Sequence, residues 1–220
     1  MEVIWHGHSC FELRGREVTI MFDPFGGIGL PEPKTEADVV LCSHSHRDHN
    51  NVKTVSKEGT IVLEEFIGTR EVEGILVRGI TSFHDEEGGS RRGMNSIYTI
   101  QLNNLSFCHL GDLGHNLSVK HIDNIGEVDV LFAPIGGGPT IGPSIASSIV
   151  ERLDPKIVVP MHYNAGIPGM LNAFSRFYRV DDFIKKIVKP NVEWIENASF
   201  NITKEGLPKE RKIIVPTLII

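Results

Sequence analysis

Ser43-His44-Ser45-His46-Arg47-Asp48-His49 sets three histidines and one aspartate within six residues, directly after the apolar run Val39-Val40-Leu41-Cys42. That run is continuous rather than alternating, the pattern of a strand buried on both faces. Histidine and aspartate bury poorly unless something pairs with them. Neutral imidazole and carboxylate suit zinc, iron and manganese. A histidine-rich polar turn is the plain alternative, and the rest of the chain argues against it by offering further ligands. His44 and His46 lie two apart, so extended backbone would point both to one side, where they can chelate one ion. Asp48 and His49 follow where the chain is expected to turn into a helix, and could face a second ion.

Three later positions have the same character. His84 ends the segment Thr81-Ser82-Phe83-His84, Asp112 ends Leu105-Ser106-Phe107-Cys108-His109-Leu110-Gly111-Asp112, and His162 ends Val158-Val159-Pro160-Met161-His162. Gly111 leaves the backbone room just before the carboxylate. Ligands at the ends of successive strands converge on one sheet edge, as α/β sites usually do.

The rest of the pattern fits interleaved strands and helices. Strands are expected over 18–22, 39–42, 61–63, 75–77, 96–102, 105–110, 128–133 and 157–159. The clearest helix covers about 144–153, with Ile145, Ala146, Ile149, Val150 and Leu153 on one face and Asp154-Pro155 as its stop. Weaker helices are expected after His49, around 118–125 and around 181–188. The glycine- and proline-rich stretch 26–31 reads as a loop. With no evident linker, repeat or low-complexity tract, residues 1–220 read as one α/β domain.

Composition narrows the function. Of 220 residues, 40% are hydrophobic and 23% charged, a globular balance, and the net charge of −6 argues against a general nucleic-acid-binding surface. No stretch is long and apolar enough to span a bilayer. No leader is visible after Met1-Glu2, so a cytoplasmic location is expected. The widely spaced Cys10, Cys42 and Cys108 fit buried reduced thiols better than a disulfide framework or metal ligands.

The ordered set His-x-His-x-Asp-His, His84, Asp112 and His162 resembles the metallo-β-lactamase-fold superfamily over nearly the whole chain. Trp5-His6-Gly7-His8-Ser9-Cys10-Phe11, Gly111-Asp112-Leu113-Gly114-His115 and Pro160-Met161-His162-Tyr163 resemble its branch of small ascorbate-6-phosphate-lactonase-like hydrolases. The resemblance implies a four-layer αββα sandwich with two divalent ions along one edge, zinc first, with manganese or iron also accepted. It assigns His44, His46 and His84 to one ion and Asp48, His49 and His162 to the other, with Asp112 bridging. It gives Asp23 the role of supporting the ligand loop through hydrogen bonds. It does not imply β-lactamase activity, since fold is poor evidence for substrate.

Two divalent ions about 3.5–4 Å apart can share a water, lower its pKa toward 7 and hold hydroxide as nucleophile. The expected activity is therefore hydrolysis of a small anionic ester, lactone or phosphoester, with Asp48 and Asp112 as the catalytic carboxylates. Two alternatives stand beside it. One is an iron-dependent redox enzyme; the other is a non-enzymatic metal-binding or interaction protein on the same scaffold.

Other residues carry lesser expectations. His8 and His115 could line the pocket, donate a hydrogen bond or be structural. His6 and His109 read as satisfied within strand-like runs, and His121 as solvated on a helix. The glycines of 85–95 suggest mobility, and Arg91 or Arg92 could grip a phosphate or carboxylate or simply be solvated. Gly136-Gly137-Gly138 could offer backbone N–H groups to an anion or permit a close backbone approach. The apolar end 213–220 points to a closing edge strand or a subunit contact, hence a possible homo-oligomer. The expected partner is a small-molecule substrate, with neither nucleic acid nor membrane.

Overall fold

The structure is a computed structural model and describes residues 1–167, 169–170 and 172–218. Among these, strands form two sheets. The first runs β13 (Ser199–Asn201), β1 (Glu2–Gly7), β2 (Cys10–Arg14), β3 (Thr19–Phe22), β4 (Ala37–Cys42), β5 (Ser56–Glu64). The second runs β12 (Val192–Ile195), β14 (Lys212–Pro216), β11 (Ile157–Met161), β10 (Val130–Pro134), β9 (Leu105–His109), β8 (Met94–Leu102), β7 (Ile75–Phe83), β6 (Gly68–Val72). The helices are α1 (Val119–Ile125), α2 (Pro143–Leu153) and α3 (Val180–Ile184). The chain is thus a mixed α/β two-sheet sandwich.

Alternation along β3 and β4 builds two cores. Ile20, Phe22, Val39 and Leu41 enter the main core between the sheets. Met21, Val40 and Cys42 point the other way and meet Phe25, Ile28 and Leu30 of the loop after β3, together with Phe174. Both faces of β4 are therefore covered, which is why its sequence shows no polar alternation. Phe11 and Phe132 meet across the main core with ring centroids 4.2 Å apart. The three cysteines are buried free thiols, and burial pushes each upward.

Strand direction decides where the chemistry gathers. β1 and β3 each run antiparallel to β2, and β3, β4 and β5 are parallel. In the second sheet β7 and β9 are both antiparallel to β8, while β9, β10 and β11 are parallel. Within each sheet these strands point one way. The ends of β1, β3 and β4 meet those of β7, β9 and β11 along one edge of the sandwich.

Several expectations are corrected. No helix follows His49: a turn closed by His49 N–H to His46 O (2.8 Å) leads to a single 3-10 turn, Val52–Thr54. The β-branched residues beyond it are taken up by β5, paired in parallel to β4. α3 stops at Ile184, short of the expected 188, ahead of Pro190, which disfavours helical backbone before it. β14 is interior, flanked by β11 and β12, so the closing edge is β12. Ile219 and Ile220 lie outside the described residues. β6 and β12 escaped the sequence reading because they are edge strands with largely exposed, polar-rich faces. Among the described residues no helix is long and apolar enough to cross a membrane.

Candidate metal centre

Each donor sits just past a strand end. His8 follows β1, Asp23 follows β3, and His44, His46, Asp48 and His49 follow β4. His84 follows β7, Asp112 follows β9 and His162 follows β11. His8, Asp23 and His162 have positive φ of 53°, 43° and 50°. Left-handed backbone is uncommon outside glycine but better tolerated by His and Asp. Here it turns each chain sharply as it leaves its sheet.

The structure brings all seven sequence-assigned positions together. His44, His46 and His84 each place a ligand atom within 4.8 Å of the others. Asp112 Oδ2 lies 3.3 Å from His49 Nε2, 3.3 Å from His84 Nε2 and 3.2 Å from His162 Nε2. Asp48 Oδ2 is 3.9 Å from His49 Nε2. His46 is exposed and Asp48 partly so; His44, His49, His84, Asp112 and His162 are buried.

Outer hydrogen bonds fix which nitrogens face inward. Asp23 Oδ2 accepts the Ser43 hydroxyl at 2.7 Å, so Ser43 Oγ in turn accepts from His44 Nδ1 at 2.9 Å. His44 Nε2 then carries its lone pair, and it is buried with no hydrogen-bond partner among the described residues. Asp23 Oδ2 also accepts from His49 Nδ1 at 2.9 Å, and Oδ1 accepts from Ser43 N–H at 2.7 Å. Asp23 thus ties Ser43 and His49 of the 43–49 loop from behind through three hydrogen bonds.

The donor set fits divalent cations. Tetrahedral bonds of about 2.0–2.1 Å put neighbouring donors about 3.3 Å apart. The Asp112 Oδ2 separations of 3.2–3.3 Å match that edge, and Asp112 Oδ1 is buried with no partner among the described residues. Burial opposes charge on His49, yet Asp112 and Asp23 outweigh it and hold its imidazole well above the usual value. Burial likewise opposes charge on Asp112, and His162 and His49 hold its carboxyl well below the usual range. Burial turns His8, His44 and His84 the other way, toward the neutral imidazole that a metal ligand needs.

The lesser candidates separate. His8 joins the cluster, with Nε2 3.1 Å from His49 Nε2 and 3.4 Å from Asp48 Oδ2. His115 stands outside it: Nε2 accepts Phe83 N–H at 3.2 Å, which anchors the residue before His84. His6 pairs with Glu12, and His109 bridges Ser9 O and Gly111 N–H. His121 is not simply solvated. It completes the Ser118 capping box and reaches Thr81 O at 3.2 Å. Gly136 serves close approach, because a Cβ there would collide with the His162 carbonyl.

The 85–95 segment is tethered rather than loose. Backbone N–H groups of Arg92, Gly89, Arg91 and Glu87 donate to the Asp85 carboxylate at 2.8–3.0 Å. Burial would raise its pKa, but those donors bring it down to about 2. Arg91 is spent on Glu87. Arg92, with Arg47, lines an open cavity of about 390 Å³ that also contains His46, Asp48, His84, Asp112 and His162. Pro139, Phe174 and Phe177 give the cavity an apolar side. Larger hollows lie elsewhere, but they contain no part of the donor cluster.

Sequence reasoning missed Asn95, Ser43 and Arg47. Asn95 Oδ1 accepts Asp112 N–H at 2.8 Å, while its amide donates to Leu110 O and Ser82 Oγ. Gly111, at φ 56°, has no space for a Cβ because Asn95 Oδ1 and Ser43 occupy it. A buried asparagine in an apolar strand was the available signal.

The beta-lactamase superfamily domain model matches residues 2–162. A crystal structure from Thermotoga maritima, described as a candidate Zn-dependent hydrolase of the metallo-beta-lactamase superfamily, is 32% identical with TM-score 0.78. That match covers 98% of this chain and 97% of the other. A metal-dependent hydrolase from Methanoculleus marisnigri is 29% identical over 81% of this chain and 88% of its own length. An isothiocyanate hydrolase from Delia radicum gut bacteria, 11% identical with TM-score 0.66 over 92% and 100% of the two chains, shares the fold alone.

Proposed function

The chain belongs to the metallo-β-lactamase superfamily, and from that premise we propose that it is a metal-dependent hydrolase of a small anionic ester, lactone or phosphoester. The observation that carries the proposal is Asp112 Oδ2, set 3.2–3.3 Å from three imidazole nitrogens beside the His44–His46–His84 cluster. In this reading His44, His46 and His84 hold one ion, Asp48, His49 and His162 hold the other, and Asp112 serves both. When bound, such ions lower the pKa of water and polarise a carbonyl or phosphoryl oxygen. Zinc suits the imidazole-rich set, and manganese and iron are compatible with it.

The chain's own residues complete the chemistry. Asp23 and Ser43 fix the orientation of His44 and His49. Burial works against charge on Asp48, but the His8 hydrogen bond and His49 keep it ionised, the form in which a carboxylate would hold a metal ion, and it also lines the cavity. Arg47 and Arg92 have no carboxylate within salt-bridge distance among the described residues, and both line the cavity. They are placed to hold the substrate's anionic group. Phe174, Phe177 and Pro139 would pack against its apolar part.

The test combines metal loading with activity on lactone and phosphoester panels. Metal-dependent turnover that is lost in Asp112→Ala supports the reading. Full turnover in an Asp112→Ala protein with no bound metal would overturn it.

A further inference from the structure

The second cluster contains one imidazole more than the proposed ligand set uses. His8 is the turn residue between β1 and β2, 1% exposed, with φ at 53°. Its carbonyl accepts from the Trp5 indole at 3.1 Å and from His162 N–H at 3.2 Å. The left-handed turn is therefore tied at once to the core and to another member of the site. Strained backbone of this kind persists where its surroundings over-determine it, and it gathers at functional sites.

The ring geometry decides what the turn is for. His8 Nε2 is 3.1 Å from His49 Nε2 and 3.4 Å from Asp48 Oδ2, and its ring centroid is 4.3 Å from that of His162. The two atom-to-atom separations bracket the donor–donor edge of a tetrahedral site, about 3.3 Å. His49 Nδ1 is committed to Asp23, so a neutral His49 turns its Nε2 lone pair toward His8. A shared proton or a bound cation satisfies two ring nitrogens facing each other at this distance. His8, His49 and His162 together offer three buried ligand atoms within 4.8 Å of one another.

We propose that His8 Nε2 is itself a ligand of the second ion, joining Asp48, His49 and His162. This rests on the dinuclear reading above. It makes the second site as rich in imidazole as the first, a set that selects transition metals over magnesium or calcium.

The experiment titrates cobalt(II) into chelator-stripped full-length protein, wild type and His8→Asn, following visible absorption and heat. Asparagine also tolerates left-handed backbone, so the turn is kept. Outer-sphere substitutions typically cost about 10–100-fold in metal affinity, and loss of a ligand should cost at least about 100-fold. The expected result is two ions in the wild type, with one affinity falling at least that far in His8→Asn and the other unchanged. Two ions with equal affinities in both proteins would overturn His8 ligation and leave the dinuclear reading standing. A wild type that takes up no ion would overturn the dinuclear reading itself. Independently of any variant, ¹⁵N-histidine NMR of the zinc-loaded wild type should show His8 Nε2 moved to the metal-bound position. A His8 Nε2 unmoved on loading would refute the assignment.

Discussion

Asn95 Oδ1 accepts the main-chain N–H of Asp112 at 2.8 Å, and this bond aims the central carboxylate from a neighbouring strand. The same amide satisfies Leu110 O and Ser82 Oγ, so three buried polar groups depend on one side chain. Asn95→Leu is expected to lower stability by about 1–3 kcal/mol for each group left unpaired, discounted where neighbours relax. Metal affinity should fall about 10–100-fold. Urea unfolding and chelator competition measure the two effects.

Asp23→Asn removes the charged acceptor behind Ser43 and His49 without touching the inner donors. An amide cannot accept from Ser43 and His49 as the carboxylate does. Metal affinity should drop about 10–100-fold with the fold retained. Circular dichroism and competition titration check this, and wild-type affinity in the variant would remove Asp23 from the site's support.

Arg92→Ala and Arg47→Ala should each raise KM for an anionic substrate about tenfold or more, the worth of a charged hydrogen bond, with a smaller change in kcat. Arg91→Ala should leave KM near wild type, because Arg91 is engaged with Glu87. Steady-state kinetics on matched anionic and neutral esters separates these outcomes.

The short-range part of this molecule was legible in its sequence. β4 showed its two-sided burial as an unbroken apolar run, and the ligand positions announced themselves as polar residues just past apolar segments. An α/β domain followed from that pattern, and the two-sheet sandwich from the resemblance of the ligand motifs to the metallo-β-lactamase fold. What stayed hidden depends on long-range contact. His8 reaches His49 from forty-one positions away and Asn95 reaches Asp112 from seventeen, and no local spacing shows either pairing. β12 and β13 are only four and three residues long, too short to show a pattern. The apolar 213–220 segment read as a closing edge strand or a subunit contact because nothing in it reveals that β12 covers the far side of β14.

Asp85, the residue after His84, supplies a pH test. Four backbone N–H groups depress its carboxyl to about 2, below the ordinary value of about 3.9. A depressed pKa contributes stability that is present above the unfolded value and is lost as pH falls toward the folded one. The 85–92 loop should therefore keep its order down to about pH 4 and loosen toward about pH 2. Carboxyl ¹³C NMR should place the Asp85 midpoint near 2, and a midpoint at the ordinary value would show that the tether is absent.

The most direct measurement is elemental analysis of the full chain purified without chelator or added metal. About two zinc or manganese ions per chain is the expected result, as a dinuclear hydrolase site requires. Less than about half an ion, not raised by reconstitution, would contradict the dinuclear centre and the hydrolytic function that depends on it.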